Sequence, residues 1–199
     1  ITAANIAKYD RLHSLVVFSD ADPLAFSRDS IAGWLNLAER WLEVANAWDN
    51  DARYPYVLWN CLWRAGGSLL HGHLQVSLTR GMHYAKIERL RHDAESYRQR
   101  YKFDYFEDLI AVHLALGCAY QVGQTTVLTL LTPVCDKEVW ILTPGLTNEA
   151  IGALYQTLET FRDRLAVRSF NVGILLPPIA PVSETWDDFP TVIRIVDRG

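Results

Sequence analysis

The sequence predicts an α+β fold, a mainly antiparallel sheet with flanking helices, and three observations lead there. Short runs rich in β-branched and aromatic residues are separated by Gly, Pro, Asn and Asp, the punctuation of strands and turns. Other stretches place apolar residues at three- and four-residue steps, the period of an amphipathic helix. A Gly66-Gly67 turn joins two strand-like runs and so suggests an antiparallel pair.

The first element is a short buried strand from Leu15 to Phe18, broken by Asp20-Ala21-Asp22-Pro23. A helix follows from Ser30 to Trp48. Ile31, Trp34, Leu35, Ala38, Trp41, Leu42 and Ala45 form its apolar stripe, Asp29 or Ser30 its N-cap, and Asp49-Asn50-Asp51 its end. Tyr56 to Trp63 and His71 to Leu78 are strands on either side of the glycine turn. Ala85 to Tyr101 is highly charged and reads as a solvated helix. Phe103 to Tyr120 continues with helical patterning, and Gly123 is its stop. Thr126 to Leu131 and Val139 to Leu142 are strands connected through Pro133 to Lys137. Thr147 opens an amphipathic helix carrying Ile151, Leu154, Leu158 and Phe161. Phe170 to Leu176 is a strand closed by Pro177-Pro178. Ala180 to Pro190 is a loop, and Thr191 to Val196 the last strand. This order hints at an internal duplication, with residues 1–122 as one half and 123–199 as the other.

A chain of 199 residues, half of them hydrophobic, is folded and long enough to bury a sizeable core. Its net charge of −4 gives no basic stripe for general nucleic-acid binding. A phosphate-bearing small molecule stays open, because it needs local donors rather than a basic protein. Cys61, Cys118 and Cys135 form no CxxC pair, which argues for a reducing compartment and against a disulfide framework. No apolar run is long enough to span a membrane, and no basic-then-apolar leader opens the sequence. The expectation is a cytoplasmic protein without a membrane partner. Ile1 in place of Met suggests a processed or trimmed product.

The chemistry concentrates between Asn60 and Gln75. On a strand, His71, His73 and Gln75 project from one face. A neutral histidine with one ring nitrogen held and the other free is a nucleophile towards phosphorus. Gln75, Ser68 and the Gly66-Gly67 amides are donors for the non-bridging oxygens, and Asn60 approaches from the partner strand. The set is coherent for nucleotidyl transfer through a covalent nucleotidyl-histidine on His73. An isolated His-x-His is also what a core strand or two metal ligands look like, and Asn60, Gly67 and Ser68 also fit as ordinary hairpin residues.

Asn60, Gly66, Ser68, His71, His73 and Gln75 together resemble the active-site motif of the galactose-1-phosphate uridylyltransferase branch of the histidine-triad (HIT) superfamily. That motif reads Asn, a few residues, Gly-x-Ser, then His-Pro-His-x-Gln. The resemblance implies a HIT-like fold of two related halves sharing one sheet. It places the nucleophile on His73, the phosphate-orienting amide on Gln75, and phosphate contacts on Asn60 and Ser68. It extends more weakly from Leu15 to Pro178, the segment Cys135 to Pro144 resembling the start of the second half. Three departures stand out. Gly72 replaces the central proline, Leu62 replaces a glycine expected two residues after Asn60, and the zinc-binding CxxC is absent, so no metal and no cofactor are expected. The His-Gly-His-Leu-Gln wording is also similar to the zinc-free diadenosine tetraphosphate phosphorylases.

The implied partner is a nucleotide or nucleoside diphosphate sugar, and the branch commonly forms homodimers. A dinucleoside polyphosphate phosphorylase or hydrolase, or a non-catalytic nucleotide-binding protein, is the rival reading. Elsewhere, His83 and His92 lie in a charged region and are expected in solvent, and His113 in an apolar helix is expected to be buried. Arg64 and Arg80 flank the motif and are candidates for phosphate neutralisation; Glu88 reads as a helix-face charge. Trp34, Trp41 and Trp48 share a helix face and read as core or a dimer contact.

Overall fold

A computed structural model describes residues 1–8 and 10–199. In chain order the elements are β1 (Thr2–Ala4), β2 (Leu12–Val17), α1 (Arg28–Trp48), β3 (Ala52–Cys61), β4 (His73–Arg80), α2 (Ala85–Tyr101) and α3 (Tyr105–Ala115). Then come β5 (Ala119–Val122), β6 (Thr125–Thr129), β7 (Val139–Thr143), α4 (Asn148–Glu159), β8 (Phe170–Leu175) and β9 (Thr191–Asp197). The strands form one sheet in the order β1-β2-β4-β3-β8-β9-β7-β6-β5. Every neighbouring pair is antiparallel, so the fold is α+β.

The connectivity repeats. β2, α1, β3 and β4 give the strand order β2-β4-β3, and β7, α4, β8 and β9 give β7-β9-β8. The two units meet where β3 pairs with β8 over Tyr56↔Leu175 to Cys61↔Phe170. Period-2 alternation sorts the strand residues onto two faces. Val57, Trp59, Leu74, Val76, Val172, Ile174, Ile193 and Ile195 join the core under α1 and α4. The opposite face carries Leu128, Leu142, Leu175 and Val192, packed with Ile87 of α2 and Phe106 of α3. Each fully buried Leu or Ile of this kind stabilises the fold by about 1.5–3 kcal/mol.

Local chemistry sets the helix ends. Ser27 is the N-cap of α1, and it exchanges hydrogen bonds with Ser30 in a capping box, one turn earlier than the stripe alone indicates. Thr147 caps α4 as expected, its hydroxyl accepting from the Ala150 N–H. α4 then loosens into a π turn over Thr160–Arg164. Helical patterning in 103–120 overshoots. α3 ends at Ala115, Gly117 turns the chain at φ +70°, and Ala119–Val122 pairs with β6 as an edge strand. The turn at Gly123 (φ +58°) therefore joins β5 to β6 rather than ending a helix.

His83 also departs from expectation: it is 3% exposed. Its Nε2–H donates to the Leu176 carbonyl and its Nδ1 accepts the Tyr84 N–H, both at 3.0 Å. The charges around it turn inward. Glu88 accepts the His83 N–H and pairs with Arg91, so this stretch of α2 is not simply solvated. His92 is exposed and His113 is buried, its two ring nitrogens bonded to Leu109 and Leu131. Among the described residues no helix is long and apolar enough to cross a membrane.

Candidate active site

Leu74, Val76 and Leu78 of β4 enter the α1 core, so His73 and Gln75 rise from the other face of the sheet. His71 does not share that strand face, contrary to the period-2 expectation. β4 starts only at His73, and His71 belongs to the bend that precedes it. Gly72 N–H donates to the Ala21 carbonyl (3.2 Å), and its own carbonyl accepts the Phe18 N–H (3.0 Å). The His71 ring turns back to donate from Nε2 to the Phe18 carbonyl at 2.9 Å.

A Cβ on Gly72 would sit 2.3 Å from Phe18 Cδ2. The Phe18 ring is stacked on Trp34 with centroids 3.4 Å apart. That aromatic pair fills the space a ring at position 72 would need, which explains glycine where the resembled motif has proline.

His73 Nδ1 lies 2.9 Å from the His71 carbonyl oxygen. A carbonyl only accepts, so Nδ1 carries a proton, and in the neutral ring Nε2 keeps the lone pair. The ring is thereby fixed in the tautomer that can attack an electrophile through Nε2. Gln75 is hydrogen-bonded to His13 of β2, a 3% exposed histidine whose pKa is lowered by burial. Asn5 reaches the same imidazole, with Nδ2 3.1 Å from Nε2.

Asn60 lies next to the end of β3, at the seam of the sheet. Asn171 Nδ2 donates to Asn60 Oδ1 and to the Ala65 carbonyl, both at 2.7 Å. One side chain from β8 thus ties β3 to the start of the glycine turn. Asn60 Nδ2 and the exposed Ser68 hydroxyl make no hydrogen bond among the described residues, and both remain as donors. The amides of Gly66 and Gly67 do not. They donate to the Trp63 and Leu62 carbonyls at 3.0 Å, so the turn itself consumes the two donors expected to hold a phosphate. Gly67 is required for another reason: a Cβ there would lie 2.9 Å from the carbonyl oxygens of both Asn60 and Leu62. Gly66 has φ +88° and Leu62 φ +66° with ψ 175°. Leu62 thus holds the glycine-like backbone of the position where the resembled motif has glycine.

A cleft of about 830 Å³ opens on this face between α2 and a floor of β3, β8 and β9. It begins at Asn60 and Asn171, passes Leu58 and Gly173, and ends at Trp140 and Arg194; Tyr56 and Tyr84 form part of its wall. His73 and Gln75 stand one strand beyond its rim, on β4. Arg194 Nε donates to Glu138 Oε1 at 2.6 Å. Glu138 is almost fully buried and also accepts from Trp140 Nε1, Val134 N–H and Cys135 N–H. Burial pushes its carboxyl up, but these donors, Arg194 foremost, hold it net below the usual glutamate value. A second cleft, about 620 Å³, lies beside the π turn after α4 and holds none of the motif residues.

Arg80 is committed to Asp49 at 2.6 Å, at the far end of β4, and Arg64 stacks over Trp63. Neither is placed as a phosphate clamp. Glu88 is bound to His83 and Arg91. Trp34 packs on Phe18, and Trp48 is exposed under the Arg11 guanidinium. Among the described residues no group of His, Cys, Asp and Glu is arranged to hold a metal ion. Asn171, His13 and Arg194 carry no local sequence signal; only the sheet register brings them to the motif.

No protein-family model and no curated protein matches the sequence. Solved structures do match. A uridylyltransferase structure superimposes with TM-score 0.74 at 13% identity, covering 93% of this chain and 62% of that one. An ADP-glucose phosphorylase from Arabidopsis thaliana, solved with bound ADP-glucose, gives 0.75 at 13% identity over 99% and 71%. A GalT-like protein from Arabidopsis thaliana gives 0.76 at 14% identity over 98% and 73%. The chain therefore spans about 62% of the uridylyltransferase, and at this identity the likeness is one of fold: the α+β fold that these uridylyltransferase, phosphorylase and GalT-like structures share.

Proposed function

We propose that the protein is a nucleotidyltransferase that carries a nucleoside monophosphate on His73. The observation behind this reading is the His73 Nδ1–His71 carbonyl bond, which in the neutral ring puts the lone pair on Nε2, on the strand face that carries Gln75. Nε2 attacks the α-phosphorus of a nucleoside diphosphate sugar. The bond from that phosphorus to the bridging oxygen breaks, and the sugar phosphate leaves with the electron pair. An acceptor phosphate oxygen then attacks the same phosphorus, the P–N bond breaks, and His73 returns to its starting state. Gln75, Ser68 and Asn60 hold the non-bridging oxygens through both steps. The ADP-glucose phosphorylase of the same fold supports a sugar nucleotide as donor class. A dinucleoside polyphosphate in the donor role, or water in the acceptor role, uses the same nucleophile.

Intact-mass measurement after incubation with UDP-glucose, ADP-glucose and diadenosine tetraphosphate tests this. A nucleotidyl increment on the wild type, absent from His73→Ala, is expected. Turnover retained in His73→Ala would rule the mechanism out, and nucleotide binding without any adduct would make the chain a binding protein.

Trp63, Leu69 and Leu70 are 69%, 60% and 75% exposed around the motif loop. This apolar patch supports a homodimer, which light scattering after size exclusion reads directly.

A further inference from the structure

The motif supplies a nucleophile and phosphate donors but nothing that holds a base. The cleft that starts at Asn60 supplies what is missing. We propose that this cleft is the nucleoside subsite, and that Arg194 selects bases with an oxo group at the pyrimidine 4 or purine 6 position, uracil and guanine, over those with an amino group there, cytosine and adenine; the proposal rests on the nucleotidyl-transfer reading above.

Reach is the first argument. Arg194 stands on β9, which occupies in the second unit the place β4 occupies in the first. It lies level with Gln75 across the sheet, through the pairings Gln75↔Leu58, Leu58↔Gly173 and Gly173↔Arg194. Three strand spacings and one two-residue step put the Cα atoms of His73 and Arg194 roughly 16 Å apart. Both side chains rise from the same side of the sheet, and their length sets the rest of the span. This is the reach of an extended nucleoside 5′-monophosphate with its phosphorus at His73.

Shape is the second. Gly173 leaves the middle of the floor without a side chain, and Tyr56 lies across it, its hydroxyl 3.1 Å from where a Cβ would be. Trp140 adds flat aromatic surface at the far end, and Tyr84, beside Tyr56, adds it to the wall. A base ring fits such a slot by stacking.

Charge is the third. Glu138 takes one edge of the Arg194 guanidinium and is itself saturated by three N–H donors, so the arginine is held in one orientation. Arg194 Nη1 makes no hydrogen bond among the described residues and the side chain lines the cleft. A guanidinium only donates. It therefore meets O4 of uracil or O6 of guanine favourably and the amino group of cytosine or adenine unfavourably.

Calorimetric titration with UMP, CMP, GMP and AMP tests the assignment. UMP should bind at least about tenfold tighter than CMP, and GMP than AMP, the worth of one charge-assisted hydrogen bond. Arg194→Gln should erase both preferences. If that variant fails to fold because Glu138 is left unpaired, Arg194→Gln combined with Glu138→Gln removes both charges together and should flatten them too. Equal binding within each pair, or preferences retained in whichever of these variants folds, overturns the inference. Adduct formation on the wild type is read by mass in parallel. An adduct without base preference removes the subsite and leaves the transfer standing; base preference without an adduct does the reverse.

Discussion

Asn171 and Asn60 are joined across the central seam of the sheet by a 2.7 Å hydrogen bond, and the same Asn171 amide reaches the Ala65 carbonyl at 2.7 Å. Removing it frees Asn60 and the start of the glycine turn together. Asn171→Ala should cost about 1–3 kcal/mol in urea unfolding. It should also slow His73 adduct formation in fully folded protein. An adduct rate equal to wild type would show that Asn60 needs no such support.

Gly72 meets the Phe18 ring at a distance no Cβ tolerates. Gly72→Ala should destabilise by about 1–3 kcal/mol, the cost of overpacking. Combining it with Phe18→Leu should recover part of that loss. A double-mutant cycle reads the coupling, and an additive result would mean that the two residues do not compete for space.

Leu62 sits in backbone that glycine adopts freely. Leu62→Gly should therefore be at least as stable as Leu62→Ala, by about 1 kcal/mol, the reverse of the usual order. Thermal unfolding of the two variants decides it. A less stable glycine variant would show that the backbone at 62 carries no strain.

Acid should find His83 first. Burial lowers its pKa to about 4 against an ordinary 6.5, so the folded protein keeps it neutral while the unfolded chain takes up a proton. Stability present above pH 6.5 is then lost as the pH falls towards 4, by on the order of 3 kcal/mol. Glu184 acts lower. Burial pushes it up, but hydrogen bonds from Tyr54 and Trp186 bring it net down to about 2, so its contribution is lost between its ordinary 4.5 and 2. His83→Leu should reduce the slope of the upper part of a stability-against-pH curve, leaving the share of His13, whose pKa burial also lowers, and leave the lower part unchanged. A slope between pH 6.5 and 4 that this substitution does not reduce would assign the loss elsewhere.

The sequence shows what local physics writes. The α1 stripe, the β3–β4 pair around Gly66-Gly67 and the Thr147 cap are visible because spacing and turn chemistry act over a few residues. β1 is hidden, since Thr2–Ala4 is exposed on every residue and carries no pattern. His83 misleads because its charged neighbours are paired with one another instead of hydrated. His71 and the glycine amides mislead because motif spacing says nothing of which backbone groups a bend uses internally. Asn171 is invisible for a different reason: its partner lies 111 residues away.

That separation bears on when the site comes into being. β3 emerges from synthesis long before β8, and closing so long a loop carries an entropic cost that only the completed seam offsets. A nascent or truncated chain ending before Phe170 has the histidine motif but lacks Asn171, the cleft floor from β8 and Arg194. Reactivity towards nucleotides would then report the last stage of folding, and a fragment holding the motif alone would stay silent.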